Sequence, residues 1–172
     1  LQKTADQCSG NTFIDEQVLA DYDANFKVNP PLRTKKDIEV LIGALADGTI
    51  DTICSYHLPH ESDAKELEFE YAAFGIASLE AAFGAARFAT SGKLDTAELI
   101  KKITTNPRKV VGLPVNTIEV NQPADLTIFD MEAEWILEKQ HIRSKAFNNP
   151  FIGKPLKGKP LAIINNNQIK EI

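Results

Sequence analysis

At 172 residues the chain can bury one sizeable core, but it is shorter than the roughly 200 residues that a complete eight-stranded α/β barrel needs. Its 19 Lys and Arg against 24 Asp and Glu give a formal net charge of −5, with no basic stripe interleaved with aromatics, so electrostatic binding to nucleic acid or anionic lipid is disfavoured. No apolar run approaches the ~18 residues of a membrane span and no signal-peptide pattern opens the chain, which predicts a soluble cytoplasmic protein with neither nucleic acid nor membrane as a partner.

The chain opens on Leu1 rather than Met, which fits a piece of a longer protein. Thr4 to Cys8 reads as a short strand, interrupted at Ser9, Gly10 and Asn11 as by a turn. Cys8 and Cys54 are too few for a disulfide framework and read as reduced, packed thiols. Asp15 to Tyr22 fits a short helix, because Val18, Leu19 and Tyr22 share a face at helical spacing. Pro30 and Pro31 exclude helix over Phe26 to Arg33 and bias Asn29 towards an extended conformation. The Asn29 amide both donates and accepts hydrogen bonds, so on the residues alone it either satisfies loop backbone or meets a ligand.

Thr34 caps a helix over Lys35 to Ala46, in which Ile38, Leu41, Ile42 and Leu45 recur at helical spacing and Gly48 marks the end. A buried strand from Ile50 to Ser55 follows, with Ile50, Thr52, Cys54 and Tyr56 on one face and Asp51, Ile53 and Ser55 on the other. It ends abruptly in Tyr56, His57, Leu58, Pro59 and His60, and the ends of barrel strands are where α/β barrels place their chemistry. The acidic stretch Glu61 to Tyr71 reads as a long solvated loop of the kind that acts as a lid, with Glu66, Glu68 and Glu70 as solvated charge. Ile76 to Phe88 is expected to be helical with Leu79, Phe83 and Ala86 on one face, and Thr96 to Ile103 is a second amphipathic helix. Asn106 to Val111 reads as a short helix with Pro107 in its first position and Gly112 as its stop.

From Leu113 onward the grammar is strand and turn: Thr117 to Val120, Asp125 to Phe129, Glu134 to Leu137 and Leu161 to Asn165 are apolar, β-branched runs separated by Pro, Gly and Asn. Asn165 to Gln168 reads as a hairpin turn into Ile169 to Ile172, and His141 as a surface residue. The change of character divides the chain into a barrel-type part, residues 1–112, and a β-rich part, residues 113–172.

The blocks NFKVNPPLR, DGTIDTICSYHLPH, EFEYAAFGIASLEAA, NPRKVVGL, PADLTIFD and NNPFIGKPLKGK resemble, in this order, the C-terminal part of a dihydroorotase of the amidohydrolase superfamily. The resemblance implies an α/β fold: the last strands and helices of a TIM barrel plus part of a small β-sandwich. It implies a reaction in which zinc-bound hydroxide opens the cyclic amide of dihydroorotate to carbamoyl aspartate, or the reverse closure. It also assigns substrate contacts to Asn29, to His60 and to the backbone at Phe74 and Gly75.

The family's zinc ligands lie mostly on earlier strands, and only the aspartate after the eighth strand falls within this chain. Where the family reads T-D-H-A-P-H, this sequence reads Ser55, Tyr56, His57, Leu58, Pro59, His60, so Tyr56 stands in the aspartate's place. A carboxylate with a reference pKa near 3.9 accepts a proton at neutral pH, whereas a phenol near 10 does not. Ser9 and Gly10 likewise stand where the family has a histidine pair, and Ala73 replaces its usual proline. The expectation is a chain with no catalytic residue and no metal ligand of its own, although active relatives carry zinc. Whether the parent is an enzyme stays open: an inactive homologue retained for assembly with aspartate transcarbamoylase or with itself, or an active amidohydrolase using another base. His57, in an H-x-x-H spacing without a third ligand, reads as a hydrogen-bonded structural histidine.

Overall fold

The computed structural model describes residues 4–172; Leu1, on which the reading of the chain's start rests, lies outside them. Two small sheets carry the architecture. In the first, β1 (Asp6–Cys8) pairs in parallel with β2 (Thr52–Cys54), in the register Asp6 to Thr52 and Cys8 to Cys54. In the second, β3 (Leu126–Ile136), β4 (Pro155–Asn165) and β5 (Gln168–Glu171) form an antiparallel meander. The helices are α1 (Ser9–Phe13), α2 (Lys35–Ala46), α3 (Leu79–Thr90), α4 (Thr96–Ile103) and α5 (Thr105–Val110).

Helix α2 starts where its cap predicts, because Thr34 and Asp37 form a reciprocal capping box. From its inner face Leu45 joins Ile50, Ile53, Ala86, Leu94 and Leu99 in one core cluster that clamps β2 between α2, α3 and α4. A second cluster runs from Ile14, Leu32 and Ile76 through Ala81 and Ala85 of α3 to Leu137, Phe151 and Leu156. Helix α3 is thereby shared by both sheets. Gly84 permits this: a Cβ there would stand 3.0 Å from the Cβ of Leu156 on β4. Buried Arg87 and half-buried Lys157 both bond Glu132 at 2.7 and 2.8 Å, tying α3 to the meander.

Several elements differ from expectation. Ser9–Gly10–Asn11 starts α1 instead of a turn, and Glu16–Asp21 is a 3-10 turn rather than a full helix. Helix α3 buries Ala81, Ala85 and Ala86, while Leu79 is 61% exposed; close approach of other elements selects the small residues over the large one. Pro107 sits third in α5, not first. The strand expected at Thr117 to Val120 does not form: Ile118 and Val120 are 86% and 91% exposed, and no strand among the described residues offers them a ladder. The runs at Asp125 and Glu134 are one strand, β3, interrupted where Asp130 Oδ1 accepts the N–H groups of Glu132 and Ala133. Asn166 and Asn167, both with positive φ, make the expected tight hairpin into β5. His141 is half-buried, its Nδ1 accepting the Glu138 N–H and its ring edge-on to Trp135.

Candidate functional site

Strand β2 delivers its chain into a turn at once, since Tyr56 has φ +51° and breaks the alternation that would have carried it straight on. The phenol donates a hydrogen bond to Asp6 Oδ2 at 2.5 Å, joining the end of β2 to the start of β1. That acceptor, with partial burial, pushes the Tyr56 phenol up to about 12. Cys54 and Cys8 lie beside the pair, and burial raises both thiols above their ordinary range.

His57 faces the opposite partner. Its Nδ1 accepts the N–H groups of Ser78 and Leu79, each at 3.1 Å, at the start of α3, where helical backbone donors lack partners of their own. Ser78 Oγ in turn donates to the Ser55 carbonyl at 2.7 Å. His60 points elsewhere: its Nε2–H donates to the Phe74 carbonyl at 2.8 Å, and its own N–H donates to Asn148 Oδ1.

A cavity of about 380 Å³ opens between these parts, lined by Asn11, Asn29, Tyr56, His57, Phe74 and Gly75 among others. The structure therefore brings Asn29, Tyr56, Phe74 and Gly75 together, and places His60 behind the Phe74 backbone, on a neighbouring hollow with Lys65, Lys145 and Asn148. Asn11, not Asn29, satisfies the proline loop, with its Nδ2 on the carbonyls of Pro30 and Pro31. The Asn29 amide has no hydrogen-bond partner among the described residues. Gly75 has φ +128°, and a Cβ there would meet the Leu58 side chain at 2.7 Å, so the wall requires glycine.

The stretch after His60 is largely exposed, as a solvated loop should be, but one of its lysines turns inward. Lys65 is 7% exposed and donates to the carbonyls of Ala73 and Gly75, while Lys27, also 7% exposed, donates to the Glu70 carbonyl and lies 4.5 Å from the Phe74 ring centroid. Glu66, Glu68 and Glu70 do face solvent. Composition pointed outward here because it counted charges, whereas the two ammonium groups find backbone carbonyls inside.

The profile of the amidohydrolase family matches residues 14–164, almost the whole of this arrangement. The chain belongs to the amidohydrolase family. The dihydroorotase of Elusimicrobium minutum is 40% identical over 157 residues, covering 90% of this chain and 36% of the relative. That of Ruminiclostridium cellulolyticum is 41% identical over 162 residues, covering 93% and 38%. The L-hydantoinase (dihydropyrimidinase) of Arthrobacter aurescens superposes with a TM-score of 0.86 at 25% identity, over 96% of this chain and 38% of that one. This amidohydrolase chain thus spans less than two fifths of the length of these relatives, a dihydroorotase-like fragment of the larger fold.

Within the fragment, the one position that the resemblance gives to a metal ligand holds Tyr56. The Tyr56 oxygen is committed to Asp6, His57 Nδ1 to two backbone donors and the His60 Nε2 proton to Phe74. Among the described residues no three His, Cys, Asp or Glu side chains converge as a metal site would require. Sequence reasoning missed Asp6, Asn11, Lys27 and Lys65. Asp6 alone left a signal, as an acidic side chain in a short strand whose partner could not be known.

Proposed function

We propose that this amidohydrolase chain is the C-terminal portion of a dihydroorotase homologue of pyrimidine biosynthesis that does not turn over dihydroorotate and is retained for assembly, with aspartate transcarbamoylase or with a further copy of itself. The hydrogen bond from Tyr56 to Asp6 carries this reading. Hydrolysis of a cyclic amide needs a group that takes a proton from the attacking water and returns it to the leaving nitrogen. A phenol pushed up to about 12 is neutral at pH 7 and already spends its proton on Asp6, so it offers no base.

In such a homologue Asn29, His60, Phe74 and Gly75 keep the shape of a substrate site: Asn29 as a free amide at the cavity mouth, Phe74 and Gly75 as its wall, and His60 as the brace behind them. Dihydroorotate or carbamoyl aspartate is the small molecule that this site would hold. The 40% identity to a curated dihydroorotase favours a second reading, a fragment of an active zinc-dependent cyclic amidohydrolase that uses another base. The two separate in one experiment on the full-length protein, assayed for zinc content and dihydroorotate turnover with and without Tyr56→Asp. Turnover by the unaltered protein, with stoichiometric zinc, overturns the inactive reading. No turnover, together with co-elution of the purified protein with purified aspartate transcarbamoylase or as a self-associated species, supports it.

A further inference from the structure

His57 spends only one edge of its ring on the scaffold. Its Nδ1 accepts the N–H groups of Ser78 and Leu79, each at 3.1 Å, so that nitrogen presents its lone pair and the ring proton sits on Nε2. Two donors converging on one nitrogen fix the orientation of the ring as well as its tautomer. The Nε2–H has no hydrogen-bond partner among the described residues, and the nitrogen is open rather than sealed in the core. His57 is half-buried and lines the cavity together with Asn29.

Other polar groups of the lining are already engaged. The Tyr56 hydroxyl donates to Asp6, the Asn11 Nδ2 group donates to the carbonyls of Pro30 and Pro31, and the Cys8 thiol lies 3.9 Å from the Ser55 carbonyl. No Asp, Glu, Lys or Arg side chain lines the cavity among the described residues. A ligand on this wall therefore meets a fixed N–H donor, an amide that both donates and accepts, and the Phe74 residue, without a formal charge. A carboxylate is best met by a cation; the edge of an uncharged ring in which carbonyl groups flank an N–H suits these partners better.

We propose that His57 is a ligand-binding residue, whose Nε2–H donates to a ring carbonyl oxygen of a cyclic ureide or imide held in the cavity beside the Asn29 amide. Its ring thus has two tasks: Nδ1 ties the end of β2 to the start of α3, and that tie aims Nε2–H for the ligand. A ligand without an acceptor at this point would cover the N–H and leave it unpaired, so the contact selects for the carbonyl. The inference rests on the reading that this cavity holds the ring of dihydroorotate, and it is indifferent to whether that ring is opened.

Heteronuclear NMR and calorimetry on the full-length protein with isotope-labelled histidine test it, the probes being dihydroorotate and the uncharged ring dihydrouracil. The His57 signal, identified as the one that His57→Asn removes, is expected to show the Nε2–H form without ligand. Its Nε2–H proton should shift and exchange more slowly when either probe binds, a response that a merely structural histidine would not give. His57→Asn keeps an acceptor for the Ser78 and Leu79 N–H groups but withdraws the donor, and should weaken binding about ten-fold. A probe that binds without moving the Nε2–H signal, or as tightly to His57→Asn, overturns the contact and leaves the reading of the cavity standing. Dihydrouracil that binds and moves the signal, where dihydroorotate does not bind, supports the contact and removes dihydroorotate as the ligand. If neither probe binds, both fail. Should His57→Asn not fold, the signal is assigned through its contacts with the Ser78 and Leu79 amides, and its response in the unaltered protein decides.

Discussion

Tyr56 shows how one side chain can redirect a site without disturbing the scaffold around it. Its ring turns back along β2 to reach Asp6, and its backbone accepts a positive φ that aromatic residues rarely adopt. Because its folded pKa is raised above the ordinary value near 10, the stabilisation from the Asp6 bond is complete below about pH 10 and lost as pH climbs through 12. Spectrophotometric titration of the tyrosines should therefore show a late-ionising phenol, and Tyr56→Phe should delete that step while leaving the fold intact. His57 offers a second test at this scale. Replacing it with Ala leaves two backbone donors at the start of α3 without an acceptor, an expected loss of about 1–2 kcal/mol in chemical denaturation. His57→Asn, which can present a carbonyl oxygen there, should recover part of it. That His57 is structural was legible from its weak metal spacing; that Asp6 is the partner of Tyr56 was not, because 50 residues separate them.

At the scale of elements, α2 and the Phe74–Gly75 wall mark the two extremes. Helix α2 was readable to the residue, since its cap, its apolar spacing and its terminating glycine are all local signals. Thr34→Ala should remove the capping box and cost about 1 kcal/mol of stability, measured by urea unfolding. The wall has no local signal beyond its glycine. Gly75→Ala forces a side chain into a backbone conformation and a space that exclude it, and should cost about 1–3 kcal/mol or displace Leu58 from the cavity edge. Thermal unfolding measures the first outcome, and a crystal structure of the variant the second. The inward turn of Lys65 in the acidic stretch before the wall was not legible for the same reason: periodicity and charge say nothing about a carbonyl ten residues away that can receive a buried ammonium.

For the molecule as a whole, the decisive object is the junction at α3. Leu156 is fully buried where β4 crosses Gly84, and it belongs to the cluster that joins α3 to the meander. Leu156→Ala should cost about 2–5 kcal/mol, and denaturation followed by probes on α2 and on β3 will show whether both sheets unfold together. The meander leaves Ile128, Ile163 and Ile169 exposed, and among the described residues β3 and β5 each pair on one side only. Unpaired apolar edges associate. The 172-residue chain should elute as an oligomer in gel filtration, and Ile169→Lys should shift it towards the monomer.

The amino-acid sequence by itself determined the helices with caps, the asparagine hairpin, the family and the absence of a carboxylate at position 56, because each of these is written in adjacent residues or in a motif. Tertiary structure alone decided that Asp6 meets Tyr56, that Asn11 and not Asn29 satisfies the proline loop, and that Lys27 and Lys65 turn inward. Those outcomes depend on which backbone carbonyls and side chains distant parts of the chain bring within hydrogen-bonding reach, a quantity that no local pattern encodes.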